Sequence, residues 1–480
     1  MIRPSCSFWR VKPSLSRRRV YLFVASLSLF LMCIISLVGL FRLNSTHAVT
    51  TSSISTSTTN TAPKKISHPE GQEPVYVPGT DKVYVMIRTG ASRLWEYIPQ
   101  QLATTGRQVP HLAVYSDAPD EVDGLPIIDI FAHISKKILK SNEFDCYRKQ
   151  QKYLKSLGSS RLYTTKNAIQ GMDAIERYKI MPMVMHAYNE KPDADWYILM
   201  EDSSYVVWTS MMVWLNAINA DDKLYLGKQA YINEEEFAHS GSVVIMSGAL
   251  IRSTFGADPK FVSKYDDYTR QDCCGDHVLG HAFHDVDVTI KAGYDYPHIA
   301  FRLQNEEPVF VKYNSDNWCY EIASFHNVKP AEFQKFFDFE RAYQKESIFY
   351  HQLYKHYAMP YITDRVEGWN NGASDQDYYK GDPREENADE IGWTSLDACD
   401  NRCDDWDDCK QFRWKEGHCD LGSSIQLGAA DNSDNPWTSG WRVDRIRSMR
   451  SDRACDFLGE DELEEGSARK KSAQPQKSTS

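Results

Sequence analysis

The sequence contains no G-x-S-x-G element, no Walker loop and no H-E-x-x-H pair. It therefore lacks the signatures of serine hydrolases, P-loop enzymes and zincins. No second close Cys/His pair has zinc-site spacing either. A basic surplus is also missing, since the net charge is −11 over 480 residues. Residues 1–19 hold six basic residues and no acidic one, which leaves −17 on the remainder. A body that acidic repels phosphate backbones, so no nucleic acid is expected as a partner. Hydrophobic residues make up 42% and charged residues 25%, enough apolar side chain for a core and too much for a wholly disordered chain.

What is present begins with residues 20–41, an uncharged run of 22. At about 1.5 Å per residue such a helix crosses the ~30 Å hydrocarbon layer. The run is longer than a signal-peptide core and has no small-x-small cleavage site after it. The basic residues on its N-terminal side predict a single-span type II anchor with a cytoplasmic tail, 1–19. Residues 42–75 are rich in Ser and Thr and read as a stalk, and 456–480 as a disordered polar tail. Asn44 is the only N-glycosylation acceptor, placed close to the bilayer. Of the 11 cysteines, nine follow the anchor and fall in an oxidising compartment. Nine is odd, so at least one stays outside a disulfide pair.

Between stalk and tail the pattern alternates. Residues 82–87, 111–115, 196–200 and 223–226 read as strands, with helices over 93–105, 173–188 and 209–218. This predicts an α/β fold with helices on both faces of a sheet and a ligand site at the carboxyl ends of the strands. The strand at 196–200 runs into Glu201-Asp202-Ser203-Ser204. Two carboxylates there suit Mg²⁺ or Mn²⁺ on a nucleotide diphosphate, and equally a polar strand cap. His326, in a short strand-like run, is either a metal ligand or a satisfied core histidine. Asp276, opening a helix, is either a general base or a helix cap. Cys273 and Cys274, just before it, could bond different partners and pin the loop. The cysteines at 399, 403, 409 and 419 mark a small unit that relies on disulfides.

Taken together, Asp195-Trp196-Tyr197-Ile198-Leu199-Met200-Glu201-Asp202-Ser203-Ser204-Tyr205, His239-Ser240-Gly241-Ser242, Cys273-Cys274-Gly275-Asp276-His277-Val278-Leu279 and Phe325-His326-Asn327-Val328 are familiar in order and spacing. They resemble the fungal branch of glycosyltransferase family 31, related to fringe and core 1 β3-galactosyltransferases. The segment 386–455 is similar to a PAN/apple module, a small disulfide-rich α+β unit. The resemblance implies a GT-A-type domain over 76–350, a linker at 351–385 and a Golgi location with a lumenal catalytic domain. It further implies inverting, β-linked transfer of a hexose or N-acetylhexosamine from a UDP-sugar to a glycan or glycoprotein acceptor. By position, Glu201, Asp202 and His326 would hold manganese or magnesium; Glu201, Asp202, Ser203 and Gly241 would meet the donor. Asp276 would be the base. Module disulfides Cys399–Cys419 and Cys403–Cys409 are implied as well. The chain departs from the family at Ser203, where a carboxylate is usual, and at Ser240 and Val243, where glycines are usual. These departures support a second reading, a catalytically degenerate lumenal binding protein or chaperone for an active transferase.

Overall fold

The computed structural model describes residues 74–291, 299, 302–343, 347–385, 391–452 and 455. All lie in one compact unit, 65–480. The expected anchor at 20–41 and the tail at 456–480 lie outside the described residues, as does the stalk apart from its last two residues. Among the described residues no helix is long and apolar enough to cross a membrane.

The chain is a mixed α/β protein built on a seven-stranded sheet. Its strands are β1 (Val83–Arg88), β2 (Leu112–Ser116), β3 (Asp120–Val122), β4 (Leu125–Asp129), β5 (Trp196–Glu201), β7 (Tyr225–Leu226) and β10 (Val244–Ser247). Outside it lie β6 (Tyr205–Val206), β8 (Gln229–Ile232), β9 (Glu235–Ala238) and β11 (Ser324–Phe325). The sheet order is β3-β4-β2-β1-β5-β10-β7. Strands β4, β2, β1 and β5 are mutually parallel, whereas β10 runs antiparallel to β5.

The near-continuous apolar runs in β1 and β5 have a direct cause. Parallel strands at the centre of a sheet are covered on both faces, so every position meets a core. Alternate residues divide between two clusters. Tyr84, Met86, Tyr197 and Leu199 pack on one side with the helix Ile180–Glu190. Val83, Val85, Ile87, Ile198 and Met200 pack on the other with Leu94–Ala103 and Trp208–Leu215. The helix expected over 173–188 is divided: Asp173–Tyr178 is a 3-10 turn, and the α-helix starts at Ile180 with Pro182 in its first turn. Proline is tolerated there because the first-turn N–H groups have no intrahelical acceptor.

The stretch 351–385, read as a linker, is structured. It supplies strands Arg365–Glu367 and Gln376–Tyr379 to a five-stranded sheet completed by Gln411–Lys415, His418–Gly422 and Thr438–Trp441. A hydrophobic cluster joins this part to the rest, since Ile425, Trp441 and Ile446 pack with Tyr205, Phe325 and Phe336. Disulfides Cys399–Cys419 and Cys403–Cys409 form as expected. Cys319 pairs with Cys455, and among the described residues Cys146 is the free thiol. Cys273 and Cys274 bond to each other and not to separate partners.

Candidate functional site

The carboxyl ends of β1 and β5 bring Arg88 and Glu201 side by side, because the two strands are paired in register. Arg88 donates to Glu201 Oε1. On the other oxygen, Oε2, Glu201 faces His326 Nε2 at 3.4 Å. His326 arrives by a second pairing: β11 lies antiparallel on β6, with Phe325 opposite Tyr205, one turn beyond Glu201. Ser204 fixes that turn, accepting from Glu201 N (3.2 Å) and donating to the Gly241 carbonyl (2.8 Å).

The Ser240–Ser242 turn closes the group. Ser240 Oγ lies 2.9 Å from Glu201 Oε1 and 3.1 Å from Asp276 Oδ2, and its backbone N–H donates to the same Asp276 oxygen at 3.0 Å. A hydroxyl carries one proton, so it serves one carboxylate at a time. Gly241 sits against the His326 ring; a Cβ there would lie 2.3–2.6 Å from ring atoms. Val243, buried, holds φ at +82°, a conformation natural to glycine and strained for a β-branched residue. Asp276 is 8% exposed in the first turn of the helix Gly275–His284 and is not its cap. Asp272 accepts from Cys274 N at 2.9 Å and meets His277 Nδ1 at 2.7 Å.

Electrostatics favour an ionised Glu201. Burial works against its charge, but Arg88, His326 and Ser240 outweigh it and hold the pKa well below the usual carboxylate range. Behind Arg88 lies a chain of charges that runs from the half-buried Glu176 to the buried Lys179 and Asp117. Arg88 Nη1 is 4.0 Å from Glu176, Glu176 meets Lys179, and Lys179 Nζ is 2.9 Å from Asp117. Burial raises the Glu176 pKa despite Lys179 and Arg88.

Of the expected site residues, Glu201, Gly241, Asp276 and His326 converge. Asp202 does not. Its carboxylate takes a two-pronged bond from Arg93 (2.6 and 3.0 Å) and another from Thr89 Oγ1 (2.7 Å). The reason is the pleat: successive strand side chains point to opposite faces, and the turn does not reverse this. Ser203 is nearly buried and contributes its carbonyl, which accepts from Val328 N at 2.9 Å. The expected ligand set of Glu201, Asp202 and His326 is thus reduced to two. Those two fit in kind, a carboxylate and an imidazole 3.4 Å apart that would suit manganese. Among the described residues, the potential ligand group with all donor atoms within 4.8 Å is Asp272, Cys273 and Cys274, and disulfide sulfurs are not thiolate ligands.

Sequence reasoning passed over Arg88, Arg93 and the Glu176–Lys179–Asp117 chain. The available signal was position, since Arg88 ends a strand parallel to the one that delivers Glu201. No protein-family model matches the chain, and no curated protein matches it significantly.

Proposed function

We propose that the chain is an inverting, UDP-sugar-dependent hexosyltransferase of GT-A type, related to family 31, lumenal and held in the Golgi by residues 20–41. The observation that carries this reading is the convergence of Glu201, His326 and Asp276 around Ser240 at the carboxyl end of β5. The glycine-type backbone at Val243 supports it, because the related motif has glycine at that place.

In this reading Glu201 and His326 would hold manganese, which would supply positive charge for the diphosphate leaving group. Gly241 leaves room for His326 to stand over the site. Asp276 accepts the proton from the acceptor hydroxyl as that oxygen attacks the anomeric carbon. Ser240 prepares Asp276: its N–H holds Oδ2, while its hydroxyl can turn to Glu201 and leave the base free to take a proton. Arg88 keeps Glu201 ionised.

The test is thermal stabilisation of the purified full-length chain by UDP, with manganese or with EDTA, followed by a donor and acceptor screen. Ligand at a hundredfold excess over its dissociation constant stabilises by about 2.7 kcal/mol, a clear shift. Stabilisation that needs manganese, and is lost in His326→Ala, supports the transferase. One observation favours the degenerate binding protein: Asp202 is locked to Arg93 and Ser203 offers no carboxylate. A chain that ignores UDP in both buffers supports that second reading.

A further inference from the structure

A cavity lies away from the Glu201 group, on the seam between the helix Pro330–Ala342 and the C-terminal sheet region. It encloses about 480 Å³, within the range of small-ligand sites. The helix contributes Glu332, Lys335, Phe336 and Phe339; Trp369 and residues 427–430 line the cavity as well. A π-helical turn, Tyr354–Ala358, brings His356 and Tyr357 into the lining. Such turns are rare and concentrate at functional sites.

The aromatic groups are arranged to leave ring surface for a ligand. Trp369 commits its Nε1–H to the Leu427 carbonyl at 2.7 Å, so the polar edge of the indole is already satisfied. Tyr357 stacks on Phe336 at 5.2 Å and donates its hydroxyl to Glu332 Oε1 at 2.7 Å. Tyr361, 62% exposed, stands at the mouth. Polar groups are interleaved with these rings: Glu332, Lys335 and His356 line the same space. One acid and one base give the lining no net charge, which disfavours a phosphate or sulfate ligand. Glu332 is already held by Tyr357, whereas Lys335 and His356 are exposed and can turn toward a ligand's hydroxyls. A pyranose ring matches both halves of the lining, with an apolar C–H face for the rings and hydroxyls for the polar side chains.

We infer that this seam cavity binds a neutral oligosaccharide, stacked on Tyr361 and Trp369 and hydrogen-bonded by Glu332, Lys335 and His356. The cavity also touches the first site through packing, since Phe336 lines it and lies 4.7 Å from Phe325, the neighbour of His326. The binding claim itself does not depend on UDP.

The experiment is retention of the full-length chain, without nucleotide or metal, on immobilised neutral, sialylated and sulfated oligosaccharides. Parallel measurements use Tyr361→Ala and Tyr361→Phe. At least one neutral glycan is retained, Tyr361→Ala weakens it about tenfold, the worth of one aromatic contact, and Tyr361→Phe restores it. Melting temperatures of the two variants match that of the parent, because the side chain is exposed. The inference is overturned if no neutral glycan is retained, if Tyr361→Ala binds as the parent does, or if only sialylated or sulfated glycans are held. None of these results bears on UDP stabilisation, so the two readings fail separately.

Discussion

Gly241 and Lys179 show how single residues decide the site. The ring of His326 occupies the space a Cβ at 241 would need. Gly241→Ala is therefore expected to displace His326 and abolish manganese-dependent UDP stabilisation while leaving most of the fold intact; a thermal shift series checks this. Lys179 is fully buried against Asp117 and Glu176 and donates to the Thr89 carbonyl at 2.9 Å. Replacing it with methionine leaves the buried Asp117 carboxylate without its cation, at a cost of about 3–5 kcal/mol in urea unfolding. Lys179 was not legible as important in the sequence, and Gly241 stood out only through the resemblance, as a donor contact and not as the seat of the His326 ring. A lone glycine in a polar turn and a lysine in an amphipathic stretch carry no sign of His326 and Asp117, which lie 85 and 62 positions away.

At the scale of elements, strands were the most legible because their cause is local. The apolar runs ending at Arg88 and Glu201 are buried on both faces and could be nothing else of that length. Helix starts were legible where a cap was present. Ser395 accepts from Ala398 N at 3.0 Å and opens the helix that carries Cys399 and Cys403. Ser395→Ala is expected to cost about 1 kcal/mol, and Ser395→Asp to recover it, by denaturant midpoint. The segment 351–385 misled because its strands are short and partly exposed, with weak alternation. Their pairing is with strands up to about 75 residues later, such as Arg365 with Gly440, which no local pattern announces.

Across the whole molecule, two features tie distant parts together. Cys319–Cys455 closes a loop of 136 residues. In the chain-entropy account its loss costs about 5 kcal/mol, so Cys319→Ser with Cys455→Ser should melt well below the parent. Close to it, His351 Nδ1 lies 3.8 Å from Cys455 Sγ. Burial pushes the His351 pKa down to about 4, only partly opposed by its bond to the Trp318 carbonyl. The unfolded imidazole takes up its proton near pH 6.5, the folded one only near 4. Stability from this group is thus complete above about pH 6.5 and declines as pH falls toward 4, by about 3 kcal/mol. His351→Gln should flatten that slope in unfolding measured between pH 7 and 4.

Composition and order alone established the α/β alternation, the oxidised cysteines of the 399–419 unit and the acidic end of β5, because each depends on neighbours a few residues apart. The division of labour within that acidic end was a tertiary matter. Glu201 turns toward His326 and Asp202 toward Arg93 because β1, β5 and β11 meet there from segments more than 100 residues apart. Which carboxylate faces a site and which is locked in an ion pair depends on what the fold places on each side of the strand.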